Sequence, residues 1–230
     1  MENMEQIEVH DVRTPRGHHA RMGCRAGTSD LATVGSTFEL WGQLHDEYGT
    51  ADIFLDDGAF VDVGAHIGSV AIAVLLDNPR AHAICVEPLP ENVELLRANA
   101  RRNGVNERLH VVEGAAGRGK TVVVRYGPDD AHRYIANIRG ATGEYVTVPA
   151  ITLAQIVRLA GGRIDAMKID CEGGEYALFA AKPETLRKVG RITGEYHGGE
   201  QPLLDLLDRT HAVTVTRGDR YVGHFEAVPR

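Results

Sequence analysis

Three stretches of this 230-residue chain carry side chains whose types and spacing suit chemistry. The first is Asp62-Val63-Gly64-Ala65-His66-Ile67-Gly68, a glycine-containing turn between an apolar run and a second apolar run. Such a turn lets a ligand approach backbone N–H groups at the start of a helix. The second is Glu87, nineteen residues after Gly68, in Val86-Glu87-Pro88 at the end of another apolar run. A carboxylate there can accept both ribose hydroxyls of a nucleoside. The third is acidic: Asp170, Glu172 and Glu175, followed by Glu195-Tyr196-His197. Alternate residues of a strand point the same way, so Glu195 and His197 converge on one face. An unperturbed imidazole titrates near neutrality, which suits His197 to general-base work on a hydroxyl or amine. Glu172 and Glu175 also fit the plainer role of negative charge at a helix start.

The glycine turn narrows the nucleoside. A dinucleotide fingerprint needs Gly at positions 64, 66 and 69, where this chain has Gly64, His66 and Ser69. No phosphate-binding G-x-x-x-x-G-K-[ST] loop occurs. S-adenosylmethionine has no phosphate, and its charged amino-acid end suits Asp62 and the loop backbone. A nucleotide-dependent oxidoreductase and a non-catalytic binding protein are the competing classes. His66 and Ser69 argue against the first; the grouping of Asp62, Glu87 and Asp170 argues against the second. Asp170, Glu195 and His197 also form a possible half-shell for Mg²⁺, although a metal-free site is the expectation adopted. Cys171 has no cationic partner at fixed spacing and reads as a small buried side chain.

These groups need strands and helices to hold them. Phe60 to Val63, Ala83 to Val86, Leu109 to Val112, Thr121 to Arg125, Ile164 to Ile169 and Arg191 to Tyr196 read as strands. Helices are expected after Gly68 to about Leu76, from Pro90 to Asn103 with Gly104 ending it, after Thr152 with Gln155 in capping-box position, over Glu175 to Ala181, and around Leu203 to Leu207. His211 to Thr216 and Tyr221 to Ala227 form a closing hairpin around Arg217-Gly218-Asp219. Alternating strands and helices predict an α/β fold with helices on both faces of a mostly parallel sheet. Residues 1–50 are the least regular and read as a cap and substrate-approach segment, with a helix over Thr37 to Tyr48; residues 51–230 form the cofactor-binding domain. Residues 126–145 look irregular.

Composition bounds the partners. Hydrophobic residues make up 43%, enough for a packed core, and 25 basic against 32 acidic residues give a formal charge of −7. That balance disfavours nucleic acid, which demands a basic footprint, and favours a small-molecule acceptor. The longest apolar run, Ile67 to Leu76, is too short to span a bilayer. The acidic start, Met1-Glu2-Asn3-Met4-Glu5, does not look like a secretory signal. Three cysteines without CxxC spacing suggest a reducing cytoplasm. Self-association into a homo-oligomer is left open.

Three motifs together resemble the FkbM-type family of S-adenosylmethionine-dependent methyltransferases. They are Phe60-Val61-Asp62-Val63-Gly64-Ala65-His66-Ile67-Gly68, Val86-Glu87-Pro88-Leu89-Pro90-Glu91-Asn92, and Met167-Lys168-Ile169-Asp170-Cys171-Glu172-Gly173-Gly174-Glu175. Thr152-Leu153 resembles the lead-in to the last motif, and Gly27-Thr28-Ser29-Asp30 followed by Tyr48 resembles the family's N-terminal approach segment. The resemblance implies a Rossmann-like, seven-stranded methyltransferase sheet with the cofactor over its first two strands. It implies that Asp62, Gly64, Ala65, His66 and Gly68 form the methionine-side loop, that Glu87 holds the ribose and that Asn92 supports it. Two positions depart from the pattern. His66 stands where the family often has Asn, and Ala115 where many methyltransferases carry an acidic adenine ligand, so adenine falls to the backbone of Gly114 and Ala115 or to Glu113. The implied activity is methyl transfer, most naturally to the oxygen of a sugar or secondary metabolite, with nitrogen as the alternative and Asp170, Glu172 and His197 as catalytic candidates.

Overall fold

A computed structural model of the chain describes residues 6–126 and 144–230. The chain opens with an antiparallel hairpin, β1 (Ile7–Arg13) and β2 (His19–Arg25), followed by a short helix α1 (Asp30–Gly35). Then come β3 (Ala59–Val63), α2 (Ser69–Asp77), β4 (His82–Glu87), α3 (Pro90–Arg102), β5 (Leu109–Glu113), β6 (Ala115–Ala116), β7 (Thr121–Tyr126) and β8 (Glu144–Ile151). The rest is α4 (Leu153–Leu159), β9 (Ile164–Ile169), α5 (Glu175–Phe179), α6 (Pro183–Leu186), β10 (Val189–His197), α7 (Glu200–Leu207), β11 (His211–Gly218) and β12 (Val222–Pro229).

Seven strands form the main sheet in the order β11-β12-β10-β9-β3-β4-β5. β10, β9, β3, β4 and β5 pair in parallel, and the β11–β12 hairpin adds antiparallel to β10. Both faces of the parallel strands are covered, which is why they are near-continuous apolar runs. Phe60, Ala83, Cys85 and Ala166 pack under α2 and α3, whereas Val61, Val63, Ile84, Met167 and Ile169 pack against α4 to α7. The chain leaves β3 in one direction, through β4 and β5, and returns to add β9 on the other side. The reversal lies between β3 and β9, where open α/β sheets bind ligands.

Local signals explain most boundaries. Gly104, at φ +68°, closes α3: its N–H reaches the Arg101 carbonyl and that of Val105 reaches Ala100, the paired bonds of a Schellman ending. Thr152 and Gln155 form the expected capping box on α4.

Two expectations fail. Thr37 to Tyr48 is not a helix. Phe38 and Leu40 are buried, Glu39 bridges back to Arg13, and Trp41 and Gly42 both have positive φ in a tight turn between Leu40 and Gln43. A turn of that hand interrupts any right-handed helix. The 126–145 loop lies mostly outside the described residues, but β8 already includes Glu144 and Tyr145 and runs on to Ile151. Its signal was the alternation of Val146, Val148 and Ala150. β8 joins β6 and β7 in a separate three-stranded sheet. The N-terminal hairpin is fixed to α3 by polar side chains: Asn99 exchanges two hydrogen bonds with Gly23 and Asn103 two with Arg21.

No described helix is long and apolar enough to cross a membrane.

Candidate active site

The glycine turn leaves β3 through Gly64 at φ +76°, bends again at His66 at φ +50°, and enters α2 through Gly68 at φ +90°. His is among the few non-glycine residues that tolerate this left-handed region, as is Asn. That is how the turn accommodates His66 at a positive φ. The turn is anchored from below. Lys168, buried in β9, donates to the Gly64 carbonyl at 2.8 Å and lies 3.3 Å from the wholly buried Asp62 carboxylate. Burial alone would discharge Lys168, but the Asp62 and Asp170 charges outweigh it and raise its pKa. Asp62 therefore holds the loop in place through Lys168 and does not reach the cavity itself.

Above the turn is a cavity of about 470 Å³, in the size range of small-molecule sites. Glu87, Gly114 and Ala115 line it over β4 and β5; Tyr48, Asp170, Glu172 and Glu195 line it over β9 and β10. β4 and β10 are three strand spacings apart, so the two groups are separated by about 14 Å across the sheet.

At the β4 end, Glu87 is almost completely buried. Its Oε2 accepts from His66 N–H at 2.8 Å, and its Oε1 from Leu89 N–H at 3.1 Å and Asn92 Nδ2 at 3.0 Å. A carboxylate has about four acceptor positions, so these donors leave one, on Oε2, for a ligand hydroxyl. Burial pushes the Glu87 pKa up while the three donors oppose it. Asn92 is held in turn by Arg25 at 2.7 Å, and Arg25 grips the buried Asp30 with two side-chain bonds and one from its backbone N–H. Asp30 Oδ1 lies 3.4 Å from His66 Nε2. Burial lowers the His66 pKa to about 4 despite that carboxylate, so the ring is neutral.

Glu113 is not brought to the cavity. It is one residue out of phase with Gly114, faces solvent, and pairs with Arg97 at 2.9 Å. Gly114, Ala115, Ala116, Pro88 and Val124 provide an uncharged wall instead. Gly68 also lies outside the lining, as the α2 cap, and so does Asn92, which donates to Glu87.

At the β9–β10 end, Tyr48 donates to Asp170 Oδ2 at 2.7 Å. Burial first, then the Asp170 charge, keeps that phenol protonated. His197 sits behind the cavity wall among carboxylates. Its Nε2 is 3.3 Å from Glu195, 3.8 Å from Glu172 and 4.0 Å from Asp170, and its Nδ1 is 3.5 Å from Glu175. Burial opposes a charge on the ring, but these carboxylates prevail and push its pKa up to about 11. Glu195 falls well below the usual carboxylate range: burial raises it, and His197 and His224 more than reverse that. Glu172 moves the other way, to about 7, because burial and then the neighbouring Asp170, Glu195 and Glu175 charges outweigh attraction to His197. Glu172 also has φ +56°, uncommon for a residue other than glycine. Asp170, Glu172 and His197 offer ligand atoms within 4.8 Å of one another, a spacing that a cation tolerates. The same three side chains also attract one another as ion pairs, His197 Nε2 lying within 4.0 Å of both carboxylates.

A family model described as the methyltransferase FkbM domain matches residues 62–211, more than half of the chain. The chain belongs to the FkbM methyltransferase family. As an FkbM-domain protein it is an S-adenosylmethionine-dependent methyltransferase. No curated protein matches it by sequence. Among solved structures, an uncharacterized protein from Listeria monocytogenes is similar over 79% of this chain and 65% of its own, at 14% identity and a TM-score of 0.50. A precorrin-6Y C5,15-methyltransferase from Geobacter metallireducens is 16% identical over 76% of this chain and 81% of its own, with a TM-score of 0.46. TrmK from M. capricolum, in complex with S-adenosylhomocysteine, is 12% identical over 78% of this chain and 66% of its own, with a TM-score of 0.47. At 14% identity the likeness to the Listeria protein speaks to the fold alone.

The FkbM-domain site fits its cofactor on its own chemistry. Glu87 lines the cavity with one acceptor position left over by its three donors, and the wall beside it is uncharged. Lys168 and Asp30 lie within the sequence motifs, yet neither they nor Arg25 had a role assigned from sequence. The signal for Lys168 was present, since a lysine inside the apolar run Ile164 to Ile169 needs a buried partner. Tyr48 entered only through its likeness to the approach segment, because no local pattern ties it to Asp170, 122 residues away.

Proposed function

We propose that this methyltransferase acts on a hydroxyl oxygen of a small acceptor such as a sugar or secondary metabolite, with Glu172 as the base. The observation that carries the reading is Glu172 itself: a cavity-lining carboxylate with a pKa of about 7 beside an imidazolium. A hydroxyl must lose a proton as its oxygen is methylated, and a base that titrates near neutrality is matched to that task. S-adenosylmethionine, when bound, supplies an electrophilic methyl group on a sulfonium. Glu87 would hold its ribose, Gly114 and Ala115 would flank its adenine, and the turn Gly64, Ala65 and His66 would lie against its methionine side. At the other end Tyr48 orients Asp170, which offers an acceptor oxygen to the substrate hydroxyl. Glu172 takes the proton. His197, already protonated, stabilises the carboxylates and gives up the base role expected for it. The N-terminal segment, residues 1–50, contributes Tyr48 and Glu47 to the cavity wall, in keeping with a cap over a domain of residues 51–230.

A nitrogen acceptor is the second reading. Glu47, Asp170, Glu172 and Glu195 all face the cavity and would also attract a cationic amine. The two readings separate in one experiment. Methyl-labelled S-adenosylmethionine is offered with a panel of sugars, phenols and amines, and the product is identified by mass and fragmentation. An O-methyl product whose formation rises through a pKa near 7 and withstands EDTA supports the proposal. An N-methyl product, or loss of turnover in EDTA, overturns it.

Cofactor binding is testable without an acceptor. Glu87→Gln replaces one acceptor oxygen with a donor that faces other donors. It should weaken S-adenosylhomocysteine binding by about 1.5–3 kcal/mol in calorimetry. Unchanged affinity would remove Glu87 from the cofactor site.

A further inference from the structure

Glu175 is wholly buried, lies outside the cavity, and binds both sides of the acceptor end. Its Oε1 accepts the backbone N–H of His197 at 2.5 Å and lies 3.5 Å from that residue's Nδ1. Its Oε2 accepts the backbone N–H of Gly173 at 2.9 Å and the thiol of Cys171 at 3.5 Å. Among the described residues His197 is its only ion-pair partner. The carboxylate therefore joins the end of β10 to the turn between β9 and α5. That turn carries Glu172, whose φ of +56° must be imposed by its surroundings, and Gly173, at φ +101°. The helix-start role foreseen for Glu175 accounts for its bond to Gly173. It does not account for its hold on His197.

We propose that Glu175 is a positioning residue, which acts through His197 and the Gly173 turn to set both the place and the charge environment of Glu172. This rests on the reading of Glu172 as the base. A buried carboxylate with one cationic neighbour favours the protonated ring, in line with the high pKa of His197. That ring in turn lowers the pKa of Glu172 against the burial that raises it. The groups facing His197 are Asp170 and Glu172 from the turn, Glu175 from α5, and Glu195 from its own strand. His224 from β12 faces Glu195, and Tyr48 faces Asp170. Glu175→Gln removes one charge with a side chain of the same size and leaves the Asp170, Glu172 and Glu195 carboxylates on the chain, so the change at His197 reports Glu175.

The test needs no acceptor. The imidazole of His197 is followed by nitrogen NMR from pH 5 to 9 in the wild type and in Glu175→Gln, each saturated with S-adenosylhomocysteine. The wild-type ring is expected to stay protonated throughout and the variant ring to titrate within the range. Identical titrations, or a wild-type ring that deprotonates below pH 8, would overturn the proposal. Should Glu175→Gln not fold, Glu175→Asp takes its place: a downward shift of the His197 titration is expected, and an unmoved one overturns the proposal. Where an acceptor is available, the rising limb of kcat against pH should move up by less than about one unit in Glu175→Gln, because Glu172 loses the charge of its imidazolium neighbour, which outweighs the smaller direct repulsion from Glu175 that is lost with it. A merely structural role would lower the melting temperature and leave the limb where it was. The NMR result stands whether or not Glu172 is the base; full activity in Glu172→Gln would remove that reading alone.

Discussion

Glu172→Gly is expected to yield a protein at least as stable as the wild type and nearly inactive. A residue other than glycine in the left-handed region costs about 1–2 kcal/mol, which glycine does not incur. The wild-type residue incurs it at φ +56° and makes no hydrogen bond among the described residues in return. Glycine also has more backbone freedom to lose on folding, so the net gain should be at most about 1 kcal/mol. Turnover should fall by about 10²–10⁴-fold, the usual contribution of a general base. Glu172→Gln separates the two effects: it keeps the strained backbone and should lose the same activity without the gain in stability. Chemical denaturation and initial rates on the three proteins are sufficient. A loss of more than about 1 kcal/mol in Glu172→Gly would mean that Glu172 is retained for the fold.

The second large effect is expected at Gly64. A Cβ there would collide with the carbonyl oxygen of Asp170, and φ is +76°. Neither partner can yield. The amide of Gly64 is bonded to Val86, its carbonyl accepts from Lys168, and Asp170 N–H is bonded to Val63. Gly64→Ala must separate β3 from β9 at the point where the cavity opens. A destabilisation above about 4 kcal/mol is expected, in the range of severe core defects. Any protein that still folds should show no rise in melting temperature with S-adenosylhomocysteine, since the turn and Asp170 would have moved apart. A well-folded Gly64→Ala protein with normal cofactor binding would contradict this account of the loop.

Much of the fold was legible in local pattern. The runs Phe60 to Val63, Ala83 to Val86 and Ile164 to Ile169 are strands with the expected ends, within a residue or two. Both of their faces are buried, so hydrophobicity marks them without ambiguity. Helix ends at Gly104 and Thr152 follow from backbone and capping chemistry that acts within a few residues. Legibility failed where the determining contact was distant. Thr37 to Tyr48 has helical composition, yet Phe38 and Leu40 are claimed by the core and Trp41 is placed in a left-handed turn.

The site divides in the same way. The amino-acid order alone determined that a glycine turn follows β3, that a carboxylate ends β4, and that Asp170 and Glu172 follow β9, because each depends on strand length and turn chemistry. It cast His197 as a general base and left Glu172 a catalytic candidate without a protonation state. Only the tertiary structure decided that Asp62 faces Lys168 and lies away from the cavity, that Glu113 turns outward to Arg97, and that His197 is enclosed by four carboxylates. Those outcomes depend on burial and on charges brought together from Tyr48 to His224. An ionisable group takes its charge from the dielectric and the neighbours that folding gathers around it, and chain order records neither.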